Sequence, residues 1–163
     1  MRPNDQDVAE RARGSADPAV VGTGLRVAAI TMPAAEQYVS FARMATAQIA
    51  GALGLSVGRV ADLKLAVDEA CGQFLQGPPP FFGAAVPLEL CFDRGPRTLR
   101  ITVRGPIPGD WPDRASLGWL VLDALVSDLR CGTGPEDGVG TVAFVERLAA
   151  DDASRDPLWF AAL

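Results

Sequence analysis

The sequence contains no histidine. That absence removes His-based triads, His metal sites and the commonest general base at neutral pH. Cysteine is scarce. Cys71, Cys91 and Cys131 are odd in number, widely spaced and form no CxxC pair, which fits buried, reduced thiols. No apolar run approaches the roughly 18 residues needed to span a bilayer. The opening stretch MRPNDQDVAERARGS is polar and lacks the apolar run of a secretory signal, so a cytoplasmic location without a membrane partner is expected. No GxxxxGK phosphate loop is present, and no serine sits in GxSxG. Gly132-Thr133-Gly134 follows a helical segment and precedes a strand, the reverse of what a dinucleotide fingerprint requires. Net charge is −5, from 15 basic and 20 acidic residues, which argues against an electrostatic nucleic-acid binder and would suit a basic protein partner.

What is present suffices for one domain. The chain has 163 residues, 48% of them hydrophobic, enough to bury a core. Residues 1–22 are polar and without periodicity and read as an N-terminal arm. A single domain is expected over 23–149, followed by a tail, 150–163, that carries Leu158, Trp159, Phe160 and Leu163. Leu25 to Thr31 reads as a first strand. Pro33 suits the first turn of a helix whose apolar stripe is Tyr38, Phe41, Ala42, Ala45, Ile49, Ala52 and Leu53, closed by Gly54. Ser56 caps a second helix with core stripe Val60, Leu63, Val67, Ala70, Cys71 and Phe74, running to about Gln76 and stopped by Gly77 and Pro78 to Pro80. Strands Val86 to Phe92 and Thr98 to Val103 flank a DRGPR turn. A Pro/Gly-rich loop over 104–115 leads to a third helix, capped by Ser116, from Leu117 to about Leu129. The loop CGTGPEDG then precedes a last strand, Gly140 to Leu148. This order predicts an α+β two-layer sandwich, a mixed β-sheet covered on one face by about three helices.

The candidate chemistry centres on LKLAVDEACGQ, Leu63 to Gln73. A helix there sets Glu69 one turn before Gln73 on one face. A carboxylate and an oxygen ligand at that spacing could accept a hydroxyl proton and hold a metal on phosphates. On spacing alone, Asp68, Glu69, Gln73 and Gln76 read rather as a solvated outer face. The segment resembles the nucleotide-site helix of the anti-sigma-factor serine kinases of the GHKL (Bergerat-fold) ATPase superfamily, which reads roughly LKLAVxEACTN. The resemblance implies a general-base role for Glu69 and a magnesium-ligand position at Gln73, where the family has Asn. Gln retains the amide oxygen but displaces it by roughly 1 Å or more, an error that octahedral magnesium tolerates poorly.

The resemblance extends over about residues 25–148 and weakens beyond this helix. The family's Asp-x-Gly-x-Gly box falls on Gly105-Pro106-Ile107-Pro108-Gly109. Gly105 has no side chain for the adenine amino group, Gly109 is the surviving glycine, and two prolines delete N–H donors. The family's phosphate-cradling Gly-x-Gly-Leu falls on Ser116-Leu117-Gly118-Trp119, with Gly118 retained and a lid between that is short for an active member. Gly140-Thr141 matches the family's Gly-Thr, with Thr141 behind the adenine position. The resemblance thus implies a vestigial ATP site of Glu69, Gln73, Gly105, Gly109, Gly118 and Thr141. The implied function is an anti-sigma factor that sequesters an RNA polymerase sigma factor without a cofactor, opposed by an anti-anti-sigma factor and acting as a homodimer. The alternative is an active Mg-ATP-dependent serine kinase with Glu69 as catalytic base. The Leu158-Trp159-Phe160 tail could dock on a partner or cover the domain's own apolar edge.

Overall fold

The computed structural model describes residues 24–75, 86–109, 111–133 and 138–149. The N-terminal arm, the helix stop at Gly77 and Pro78 to Pro80, and the tail with Leu158, Trp159 and Phe160 lie outside them. The described elements run β1 (Leu25–Met32), α1 (Glu36–Ala52), α2 (Val57–Gly72), β2 (Leu88–Gly95), β3 (Thr98–Pro106), α3 (Leu117–Leu125), β4 (Ser127–Thr133) and β5 (Val139–Arg147). Five strands form one sheet in the order β1-β2-β3-β5-β4. All four pairings are antiparallel, so the sheet is not mixed. The α+β class stands; the strand directions are corrected. The four expected strands already pair antiparallel among themselves, and β4, an unforeseen strand, adds to β5 at the sheet edge in the same sense. Among the described residues no helix is long and apolar enough to cross a membrane.

Burial alternates strictly along β3, where Leu99, Ile101, Val103 and Gly105 turn inward and their neighbours outward. Leu88, Leu90 and Phe92 of β2, with Val142 and Phe144 of β5, complete the inner face. α1 ends in a left-handed glycine: Gly54 sits at φ +79°, its N–H donates to Gly51 O, and the Leu55 N–H donates to Ala50 O. The core face of α1 differs from expectation. Val39, Ala42, Thr46, Ile49 and Ala50 are buried, whereas Phe41 is exposed and stacks on Tyr38 at 6.4 Å. Small residues allow close helix packing, and the Thr46 hydroxyl satisfies itself by donating to Ala42 O at 2.7 Å.

α2 is the central helix. Ser56 caps it as expected, accepting from the Arg59 N–H at 3.3 Å, and Leu63, Ala66, Val67, Ala70 and Cys71 are buried. Arg59 ties three elements together. Its guanidinium forks onto the Glu146 carboxylate of β5, donates to Asp62 at 3.0 Å and caps Leu125 O, the last carbonyl of α3, at 3.2 Å. α3 is shorter than expected because Val126 turns extended, at φ −125° and ψ 161°, and the chain enters β4. It is also less buried than its composition suggests: Trp119 and Leu122 face inward, while Leu117 and Leu120 are exposed.

Cys71 carries a prediction. Burial, and secondarily the charge of Asp68, push its thiol up from 9.0 to about 12. Its stability contribution is complete below pH 9 and is lost as pH rises toward 12, at about 1.4 kcal/mol per pH unit. Urea unfolding at pH 8, 9 and 10 should therefore show a steeper alkaline loss for the native chain than for Cys71→Ala. Parallel slopes would show that the thiol is not sequestered.

Candidate functional site

The end of α2 and the glycines of β3, α3 and β5 converge. Gly118, in the first turn of α3, abuts the end of α2: a Cβ placed there would lie 2.6 Å from Gln73 Nε2 and 2.9 Å from Glu69 Oε2. Only a glycine lets these two polar side chains approach the α3 backbone so closely. Glu69 is half-buried at this helix N-terminus. Gln73 is almost fully buried, at 2% exposure. It has left the helix proper and forms the C-cap of α2, and its Nε2 donates to Glu69 O at 3.4 Å.

Gly105 pairs across the ladder with Gly140, so two adjacent inward positions on β3 and β5 carry no side chain. Aromatic rings fill the space. A Cβ on Gly105 would lie 2.7 Å from Phe74 Cγ and 2.7 Å from Leu88 Cδ2. One on Gly140 would lie 3.0 Å from Phe74 Cε1, 3.0 Å from Trp111 Cη2 and 3.1 Å from Ile107 Cγ1. Phe74 and Trp111 stack, with centroids 5.6 Å apart and planes 28° apart. Phe74 follows Gln73 directly, so the helix end that supplies the polar pair also supplies the filling ring.

Two expected site residues stand elsewhere. Thr141 lies opposite Arg104 on the outer face of the sheet, because Gly140 takes the inward position and side chains alternate. Gly109 is exposed, with no atom within 4 Å of the place its Cβ would occupy. The cap role of Ser116 is also corrected: it sits at the N-cap of α3 but makes no side-chain cap bond, and its Oγ is buried without a partner. Phe74 and Trp111 were not foreseen at the site. Phe74 read as part of a core stripe and Trp111 as a loop residue.

Phe74 fills the space over Gly105 and Gly140, Trp111 and Ile107 close it from the loop side, and Gln73 lies beside Glu69 at Gly118. Comparison with protein-family models and with curated proteins finds no match for this chain.

Proposed function

We propose that the chain is a protein-binding module, an anti-sigma factor of GHKL type that occludes the polymerase-facing surface of a sigma factor without using nucleotide. The observation that carries this reading is Phe74 packed into the Gly105–Gly140 pair beside an otherwise well-kept LKLAVDEAC helix. A helix sequence of kinase type beside a seat filled by its own rings suits a scaffold that retained a binding surface while its chemistry was lost. Occlusion needs no catalysis; an interface burying about 1,600 Å² in total is sufficient. An anti-anti-sigma protein would compete for the same surface, and a homodimer is the proposed assembly.

The alternative reading, a serine kinase acting on an anti-anti-sigma factor, draws on one observation: Glu69 and Gln73 do share one space at Gly118. Titration calorimetry of the full chain with Mg-ATP and Mg-ADP separates the two. The expected result is no heat at millimolar nucleotide, whereas micromolar binding would reject the scaffold reading. Affinity capture from the native cytosol, with the tagged full chain as bait, should recover a sigma factor at near-stoichiometric yield. Recovery of none would remove the sigma assignment.

A further inference from the structure

The face of the sheet turned away from the helices is open among the described residues. Inward side chains such as Leu90, Ile101 and Phe144 are fully buried with those of the helices, whereas the outward side chains between them on β2, β3 and β5 are not. Strand pairing fixes what stands on that outer face. Cys91, Thr102 and Ala143 form one row across β2, β3 and β5, and Asp93, Arg100 and Val145 form the next. Arg104 stands in the row before the first, Arg147 in the row after the second, and Arg130 faces Ala143 from the edge strand β4. Arg26 pairs with Asp93, and Arg104 with Glu89. Arg100, Arg130 and Arg147 have no ion pair among the described residues. The face is thus net positive in a chain whose net charge is −5.

One segment of the chain complements it. Residues 150–163 carry Asp151, Asp152 and Asp156 against Arg155, followed by Leu158, Trp159, Phe160 and Leu163. They begin beside the open face. Leu148 is buried and its N–H donates to Arg97 O at 3.0 Å, so the chain leaves the sheet next to Arg147, with Ala149 exposed. Extended, the segment reaches up to about 45 Å, whereas the three strand spacings from β5 to β1 amount to about 14 Å. A second copy of the chain seated here would set one net-positive face against another. A segment of the same chain brings opposite charge and is held nearby by its own connection.

We propose that residues 150–163 fold back across the outer face of the sheet as an intramolecular cover. Asp151, Asp152 and Asp156 meet the guanidinium groups of Arg147, Arg100 and Arg130, and the Trp159 and Phe160 rings lie over the uncharged middle of the face. A partner of that face must displace the cover first. The cover is independent of the sigma-factor reading, and neither one's failure touches the other.

Cys91 reports on the cover, because its half-buried thiol stands on the outer face. Maleimide labelling of Cys91, read by peptide mass spectrometry, should be at least about tenfold faster in a chain ending at Ala149 than in the full chain, as expected of a cover closed about nine-tenths of the time. Asp151→Lys combined with Asp152→Lys in the full chain should also accelerate labelling, as should molar salt, which screens the charges. Cys71, fully buried in the core, must stay unlabelled in each protein and so reports that it is folded. The protection should hold constant over about a hundredfold range of chain concentration, because cover and face belong to one molecule. Protection that grows with concentration would assign the face to a second copy and overturns the proposal. Labelling of the charge variant at the native rate overturns it too, whether or not the shortened chain folds.

Discussion

Gly105→Asp should cripple folding rather than recreate a nucleotide site. In sequence terms the substitution introduces the carboxylate that the resembling family places at the adenine, and paired with Gln73→Asn it would supply both polar groups of that family's pattern. The packing forbids it. The new Cβ would stand 2.7 Å from Leu88 Cδ2, 2.7 Å from Phe74 Cγ and 2.8 Å from Phe74 Cβ, all in the buried core. Overpacking of this kind costs about 1–3 kcal/mol. An unpaired carboxylate between a phenyl ring and a leucine adds several kcal/mol more. The sum is comparable to the stability of a whole domain, about 5–15 kcal/mol. Gly105 does not have a positive φ, so the glycine serves space rather than backbone conformation, and Gly105→Ala isolates the steric part. Urea unfolding followed by circular dichroism should give Gly105→Ala a loss of about 1–3 kcal/mol and leave Gly105→Asp largely unfolded at 25 °C. Adding Phe74→Ala should partly rescue Gly105→Asp by vacating the space. A Gly105→Asp, Gln73→Asn chain with native stability and measurable ADP affinity would refute the aromatic-filled seat.

The same position shows what could be read from residues alone and what could not. Periodicity exposed α2 and its core stripe because Leu63, Val67, Ala70 and Cys71 recur at helical spacing and do face inward. Richness in Val, Thr and Phe likewise marked β5. β4 escaped because Ser127 to Thr133 alternates poorly, carries two charges, holds Asp128 in the left-handed region at φ 52° and slips register before Arg130. Its first residues also continue the helical pattern of α3, so only the extended backbone at Val126 separates them. At the site, Glu69, Gln73 and Gly118 were legible because each is a local feature of a helix or its first turn. Thr141 was misplaced because one residue of strand register decides which face a side chain occupies. Phe74 and Trp111 were invisible as site residues because their meeting depends on the pairing of Gly105 with Gly140. That is a contact across the sheet, which no local pattern encodes.

Arg59→Ala should be the most destabilising single substitution outside the apolar core. Glu146 is 8% exposed, and Arg59 satisfies it with two donors, Nε to Oε1 at 3.1 Å and Nη2 to Oε2. The Glu146 hydrogen bond pushes the Arg59 guanidinium further up from its ordinary value, against the opposing effect of burial. Removing the arginine leaves a buried carboxylate unpaired on β5 and uncaps Leu125 at the end of α3. Losses of about 3–5 kcal/mol are typical when one partner of a buried pair is removed. The Arg59 side chain, 35% exposed, places this case near the lower end, about 3 kcal/mol. The contact to Asp62 is a different matter. It is an i,i+3 pair with Asp62 44% exposed, so Asp62→Ala should cost under about 0.5 kcal/mol and less still at high salt. Glu146→Leu combined with Arg59→Met tests the sign of the pair itself, since a well-packed apolar replacement of a buried ion pair is often neutral or stabilising. The double variant should therefore regain most of what Arg59→Ala loses, which makes the loss a penalty of stranding Glu146 rather than the worth of the bond. Arg59→Ala and Asp62→Ala of equal cost would show that water reaches Glu146 freely and that Arg59 does not lock α2, α3 and β5 together.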